Sequence, residues 1–430
     1  MMRPSLTRRD VLKLAGAAAA VPTIVPAKVL GKAAPSTRLR VGVIGTGGKA
    51  WGGAHNLHGA GQCDIVALAD PNTPNMKRYA TKFKVAANRC FSDFRKLLEL
   101  KDVDAVLVAT PDHWHVLCSK AAAEAGKHVY CEKPLSNTIA EGRALVNAIN
   151  TAGVVFQHGT QLRSSIGSRR VCGLVRNGYI GKVTKVTIGS PPGHATGNHP
   201  AKPVPAGMDW DIWVGPTPKI DYRPIIPGGI PRRGLRGWYF VDQFSLAGWV
   251  AGYGVHDIDL AHWGLGLEDT GPVTIEGRGT FPKAGLFNTV LDYELTFTYA
   301  DGRQIIMTDT SKNRHGVTFH AETGKEWLFC RGRMAASKRD MLRTKLKASD
   351  TQLYVSNQHE KNFADCIRKG DRKTITPIEV AHRSCSVCLL GGICLKLGRK
   401  LQWDPKTERF VNDDAANKML AYPMRKPWSL

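Results

Sequence analysis

A glycine-rich turn constrains this chain more than any other feature. Leu39-Arg40-Val41-Gly42-Val43-Ile44 reads as an apolar strand that runs directly into Gly45-Thr46-Gly47-Gly48-Lys49-Ala50. A helical segment follows, then a second apolar strand, Asp64 to Ala69, ending at Asp70. Gly45 permits the tight turn, and Gly47 lets backbone amides approach a pyrophosphate at a helix N-terminus. Ala50 stands where the G-x-G-x-x-G fingerprint has its third glycine, a substitution that the pattern allows. An acid closing the second strand accepts hydrogen bonds from the adenosine ribose, and Asp70 is placed to do so. The turn Gly45-Thr46-Gly47-Gly48 with Asp70 is therefore the expected seat of a dinucleotide. The charge of Asp70 favours NAD over NADP, with nearby Lys77 and Arg78 leaving NADP open.

The rest of the first half repeats the strand–helix unit, the pattern of a parallel sheet. Asp104 to Ala109 ends in Thr110-Pro111-Asp112-His113-Trp114-His115, and Lys127 to Cys131 ends in Glu132-Lys133-Pro134. Ligands of open α/β sheets sit at such carboxyl ends. Helices are expected over Val116–Ala125 and Ile139–Asn150, and a strand over Val154–Gln157. From Lys182 the period changes to two, in Lys182–Ile188, Leu291–Tyr299 and Arg303–Thr308, with an Asp301-Gly302 hairpin signal between the last pair. Thr376-Pro377-Ile378-Glu379 predicts a capping box at the start of a final long helix. A length of 430 residues calls for two domains. Both are α/β: a doubly wound Rossmann sheet, then a domain with a large, mostly antiparallel sheet.

Lys and Arg number 60 against 36 Asp and Glu, a net +24. That field attracts anions. The basic residues are scattered, with no helix-turn-helix, zinc-finger or RNA-binding signature, so no nucleic-acid partner is expected. The run Lys338–Lys347 reads as a solvated face. Residues 1–35 read as an address: Thr7-Arg8-Arg9-Asp10-Val11-Leu12-Lys13 resembles a twin-arginine export motif, followed by an Ala-rich apolar stretch too short to span a bilayer. The expectation is a protein carried folded to the periplasm, or secreted, by the twin-arginine export machinery. No later run of about 18 uninterrupted apolar residues predicts a membrane span. Ten cysteines invite a disulfide reading. They are scattered, and Cys385-Ser386-Val387-Cys388 falls in an apolar helical run, so buried thiols are expected.

Taken together, Gly45-Thr46-Gly47, Thr110-Pro111-Asp112-His113-Trp114-His115, Glu132-Lys133-Pro134 and Gly254-Val255-His256-Asp257-Ile258-Asp259 resemble the motifs of the glucose-fructose oxidoreductase / inositol dehydrogenase (Gfo/Idh/MocA) family, in its secreted twin-arginine branch. The resemblance runs from about residue 38 to the end, including Trp403-Asp404-Pro405 and the closing stretch Pro423–Trp428. It implies a leader over 1–35, an NAD(P)-binding domain over 36–157, and a substrate-binding and oligomerisation domain over 158–430, in a homo-oligomer. It implies that Lys133 contacts the hydroxyl being oxidised and that His256 is its acid/base partner. Thr110, Pro111, His115, Glu132 and Lys133 are the further cofactor contacts. His113, Trp114, Gln161, Arg163, Tyr253 and Asp257 are candidate substrate contacts. The two histidines of the Trp114 motif have no evident third ligand, and no metal is expected. Asp209-Trp210-Asp211-Ile212-Trp213 and Trp238-Tyr239 offer aromatic surface for stacking on a sugar or for packing domains together.

One departure stands out. The aspartate four residues before the family histidine is replaced here by Gly252. Whatever that carboxylate does is absent or supplied elsewhere, with Asp257, Asp259 and Tyr253 nearby. Three functions stay open: hydride transfer from a sugar or cyclitol, anionic ones included; redox-neutral glycoside cleavage with tightly held NAD; and non-catalytic nucleotide or glycan binding. Export favours the second, because a periplasm lacks an NAD pool. Lys133 favours the first, since the related secreted glycosidases lack that lysine.

Overall fold

The computed structural model describes residues 38–230 and 235–430. The expected leader lies outside the described residues. The first half alternates β1 (Leu39–Ile44), α1 (Gly48–His58), β2 (Cys63–Ala69), α2 (Thr73–Phe83), β3 (Cys90–Phe91), α3 (Phe94–Leu98), β4 (Ala105–Val108), α4 (Asp112–Glu124), β5 (His128–Cys131), α5 (Ile139–Ala152) and β6 (Phe156–His158). The strands form a six-stranded sheet in the order β3-β2-β1-β4-β5-β6, every pair parallel. Such a sheet is buried on both faces, which explains the continuous apolar runs of β1 and β4. Val41, Val43 and Leu107 enter the core under α1 and α2, while Ile44, Val106 and Val108 enter the core on the other side.

The second half contributes α6 (Ile166–Arg176), β7 (Val183–Ser190), α7 (Trp210–Val214), α8 (Trp249–Gly252), α9 (Gly254–Leu265), β8 (Thr274–Gly279), β9 (Tyr293–Thr298), β10 (Gln304–Asp309), β11 (Gly316–Ala321), β12 (Trp327–Arg331), β13 (Arg333–Ala336), α10 (His359–Lys369), α11 (Ile378–Leu397), β14 (Leu401–Asp404), β15 (Arg409–Phe410) and α12 (Asp414–Lys418). Its nine strands run β13-β12-β11-β7-β10-β9-β8-β14-β15. Only β7 and β10 pair in parallel. β9 shows the two-residue period directly: Tyr293, Leu295 and Phe297 point into the core, with Glu294, Thr296 and Thr298 half-exposed between them. The Asp301-Gly302 hairpin forms as expected, with Gly302 at φ +83°.

Three features depart from the sequence pattern or sharpen it. The capping box expected at Thr376–Glu379 is not made: Pro377 is the N-cap of α11 and no side chain caps it. Glu379 is drawn instead into a bidentate pair with Arg143, at 2.8 and 2.9 Å. A reciprocal capping box closes α5, between Thr138 and Glu141. α11 is long and apolar enough to cross a membrane, yet 83% of its most apolar window is buried within the protein, so it is a core helix. It carries Cys385, Cys388 and Cys394, each fully buried, and all ten cysteines are free thiols. Finally, the chain does not leave the Rossmann half for good at β6. α10 returns to it, placing Phe363, Ala364 and Cys366 in the core that covers β1 and α1.

Candidate functional site

Gly45 sits at φ +84° between the carboxyl ends of β1 and β4, with its N–H donated to the Ala69 carbonyl at 2.8 Å. A Cβ there would lie 2.7 Å from the Ala109 oxygen and 2.8 Å from the Thr110 nitrogen. Gly47 and Gly48 differ: a Cβ on either meets nothing within 4 Å. α1 starts at Gly48 without a side-chain cap, leaving its first amides and the positive end of its dipole free. This turn lines one end of a cavity of about 490 Å³ whose other end holds Lys133, Tyr253 and His256. Open space over two glycines, uncapped amides and the acid Asp70 together fit a dinucleotide phosphate and ribose.

Asp70 is 7% exposed and braces that turn. Its Oδ2 accepts from the Thr46 N–H (2.6 Å) and hydroxyl (2.8 Å), and its Oδ1 accepts from the Asn72 N–H (2.8 Å). Burial raises its pKa, while the bonds from Thr46 and Asn72 oppose the rise. A carboxylate has about four acceptor sites, so capacity remains for ribose hydroxyls. The Arg78 guanidinium lies over the Trp51 ring at 4.4 Å and does not line the cavity. Its charge is thus occupied away from a 2′-phosphate.

Thr110 and Pro111, at the end of β4, line the cavity. The Thr110 hydroxyl is buried without a partner, a group free for a ligand. His113, Trp114 and His115 stand in the first turn of α4, where the sequence suggests a loop. His115 lines the cavity, with Nδ1 2.6 Å from the Pro134 carbonyl oxygen and Nε2 3.0 Å from that of Thr110, and its single N–H donates to one of the two. Burial lowers its pKa to about 4, so the ring is neutral.

His113 does not reach the cavity, which corrects its reading as a substrate contact. Its Nε2 meets the Trp213 carbonyl at 3.0 Å and its ring packs on Phe244, so it pins α7 to α4. The Trp114 indole N–H donates to the Ile212 and Trp213 carbonyls, and its ring lines the cavity against Trp428. The stretch around α7 is also tied across the Rossmann edge beside Asp70: Thr73 N–H donates to Gly207 O and Asp209 N–H to Pro71 O, each at 2.8 Å. Trp213, Trp238 and Tyr239 both line the cavity and pack against other aromatics, so the two readings of these rings hold at once.

Lys133 leaves the end of β5 and donates from Nζ to the Gly252 carbonyl at 2.5 Å, with the Tyr239 and Tyr253 rings 5.6 and 5.7 Å away. The amine's pKa falls below its ordinary value chiefly by burial. Asp112 and Glu132 oppose the fall, and Lys49 and Arg331 add to it. His256, in the first turn of α9, has a buried Nδ1 without a partner, and burial with the charge of Lys133 lowers its pKa far below the usual range. Glu132 is 3% exposed; its Oε1 accepts from Gln161 Nε2 at 3.0 Å and lies 3.4 Å from Lys49 Nζ. Gln161 also donates to the Tyr130 hydroxyl. It stays behind Glu132, off the cavity wall, which corrects its reading as a substrate contact.

Asp257 is fully buried and paired with Arg331 Nη1, and it is Arg331 that lines the cavity. Asp257 therefore acts through that arginine, not on a ligand. Arg163 is a further correction. Its side chain is 3% exposed, bonded to both Asp259 oxygens and to Glu268, and lies away from the cavity. Replacing Arg163 by alanine strands buried Asp259 and should cost about 3–5 kcal/mol of stability, read by denaturant unfolding. A loss below about 1 kcal/mol would refute that structural role. Sequence reasoning does not reach Lys49, Asp112 or Arg331 as site residues. Asp112 lies within a recognised motif, but Arg331 comes from the end of β12 with no local signal.

The fold and the site define a nicotinamide-dinucleotide oxidoreductase. Residues 39–160 match the NAD-binding Rossmann fold of the Gfo/Idh/MocA oxidoreductase family, and residues 165–430 match its C-terminal alpha/beta domain. The chain belongs to this family. It is 32% identical over 155 residues to a myo-inositol 2-dehydrogenase of Thermotoga maritima, covering 36% of this chain and 46% of that protein. It is 31% identical over 196 residues to a glycosyl hydrolase family 109 protein of Solibacter usitatus, covering 41% and 44%. The chain thus spans under half the length of these two relatives. The structure of an aldose-aldose oxidoreductase from Caulobacter crescentus, complexed with glycerol, shares the fold at a TM-score of 0.58 and 17% identity, over 85% of this chain and 99% of that one.

Proposed function

We propose that this protein oxidises a hydroxyl of a sugar, cyclitol or sugar-derived substrate with NAD as hydride acceptor. The observation that carries the reading is Lys133: a half-buried amine of lowered pKa that lines the cavity beginning at the glycine turn. Lys133 takes the hydroxyl proton, and Tyr253 and His256 stand around the same space to orient the substrate. Bound nicotinamide supplies the hydride chemistry. Trp213, Trp238 and Tyr239 offer faces for a pyranose or cyclitol ring. Lys49, Arg236 and Arg331 bring positive charge to the wall, which suits a sugar acid. The similarity to a myo-inositol dehydrogenase supports the substrate class.

A second reading is redox-neutral glycoside cleavage on a nucleotide that stays bound, supported by the likeness to a family 109 glycosyl hydrolase. The Arg8-Arg9 motif supports export of the folded, nucleotide-loaded protein to the periplasm, and family membership supports a homo-oligomer. One assay separates the readings: the purified protein is incubated with free sugars, cyclitols, uronates and glycosides, with and without added NAD. NADH that accumulates in step with added NAD supports the dehydrogenase. Many turnovers of a glycoside with no net NADH replace it with the second reading. Silence on every substrate, with nucleotide still bound, leaves a binding protein and overturns both.

A further inference from the structure

We propose that Asp112, lining the cavity from the start of α4, supplies the carboxylate partner of Lys133 that Gly252 lacks. This rests on the dehydrogenase reading of the site. Asp112 is the first residue of α4 and is 2% exposed. Its Oδ2 accepts from the Ser245 hydroxyl at 2.7 Å, which fixes the side chain. Its Oδ1 is buried with no partner, and the residue lines the same cavity as Lys133. A buried carboxylate oxygen left unpaired in a functional cavity calls for a partner.

The other nearby acids each meet a cation or have both oxygens bonded. Asp257 is paired with Arg331, with its Oδ2 buried and unpartnered, and Asp259 is paired with Arg163. Both oxygens of Asp70 bond to Thr46 and Asn72. Glu132 gives Oε1 to Gln161 and Lys49, and its Oε2 is likewise buried without a partner. Asp112 differs from Glu132 and Asp257 in that neither of its oxygens meets a cation among the described residues.

The charges around Lys133 agree. Asp112 is the foremost of the two acids that hold its proton on, ahead of Glu132. Lys49 and Arg331 act against it, and the imidazoles of His115, His158 and His256 are kept neutral by burial. Burial lifts Asp112 to about 7, offset by Ser245 and Lys133. In the reaction bound nicotinamide would accept the hydride released from the substrate C–H bond and so be reduced. The carbonyl C=O forms as the hydroxyl proton passes to Lys133 Nζ. The Asp112 carboxylate balances the ammonium so formed, which makes Asp112 a positioning and tuning residue.

The test reads Lys133 itself, in nucleotide-free protein. Its reaction with an amine-acylating reagent is followed against pH by peptide mass spectrometry. Asp112→Asn should lower the Lys133 midpoint by about one pH unit, the effect of removing one close opposite charge. The double variant Asp112→Asn with Gly252→Asp should bring it back. A Cβ at position 252 meets Trp249 at 3.3 Å and Tyr239 at 3.5 Å, so the new side chain is accommodated by a small ring movement. Should Asp112→Asn fail to fold, the reciprocal measurement stands in: Lys133→Ala should raise the Asp112 carboxyl midpoint by about one unit, read by carbon NMR with labelled aspartate. A folded Asp112→Asn protein with an unchanged Lys133 midpoint, or an Asp112 midpoint indifferent to Lys133→Ala, overturns the proposal. Neither outcome depends on whether NADH is formed, so failure of the dehydrogenase reading is seen separately.

Discussion

Lys133→Ala should lower kcat/KM by about 10³- to 10⁴-fold while leaving nucleotide binding nearly intact. The size follows from losing the group proposed to accept the hydroxyl proton, since general-base catalysis contributes about 10²–10⁴ and the amine also orients the hydroxyl. Binding survives because the nucleotide seat is built by β1, α1 and Asp70, on strands that do not depend on this side chain. Stability should change little. The side chain is half-buried, and the change removes its hydrogen bond to the Gly252 carbonyl. Steady-state rates with a responsive sugar, set beside a fluorescence titration of NADH, give both quantities. A variant that retains more than about a tenth of wild-type turnover would remove Lys133 from the chemistry.

The second large effect separates two glycines two positions apart. Gly45→Ala should destabilise the protein by about 3 kcal/mol or more. An alanine at φ +84° is strained by about 1–2 kcal/mol, and overpacking adds a further 1–3 kcal/mol, because the methyl meets the backbone of Ala109 and Thr110. Neither obstacle is a flexible side-chain end, so β1 and β4 must move apart. Gly47→Ala should do the reverse. Its φ of −73° suits any residue and its Cβ enters open space, so thermal stability of the nucleotide-free protein should hold. Nucleotide affinity should fall, because the methyl occupies the approach to the free amides of α1. Equal NAD affinity in wild type and Gly47→Ala would mean that the turn is not the seat.

The contrast shows what kind of information each residue carries. The Rossmann half was readable because its signals are local: continuous apolar runs for strands buried on both faces, a glycine turn between strand and helix, and an acid at the end of the next strand. The second domain showed its strands by their period and the Asp301-Gly302 hairpin, but not their order. β7 and β10, separated by more than a hundred residues, pair in parallel at the centre of the sheet. No period in the sequence records such a partner. Local motifs also mislead when a distant residue competes for the same atoms. Glu379 has the spacing of a capping residue, yet Arg143, from α5, takes both its oxygens. Arg163 has the look of a site arginine, yet Asp259 and Glu268 hold it in the core.

The sequence by itself determined the two α/β domains and singled out the glycine turn with Asp70 and the pair Lys133 and His256, which line one cavity. Each rests on residues close in the chain or on a motif of fixed spacing. Only the tertiary structure decided which polar groups around Lys133 remain free. That is a question of hydrogen-bond competition among side chains from β5, α4, α8, α9 and β12, and it is settled by distance in space. The glycine turn keeps its first reading as a phosphate cradle because its neighbours within the turn dictate it. Position 252 changes its meaning: a missing carboxylate in the chain becomes a carbonyl bonded to Lys133 in the folded protein, with Asp112 lining the same cavity as the lysine.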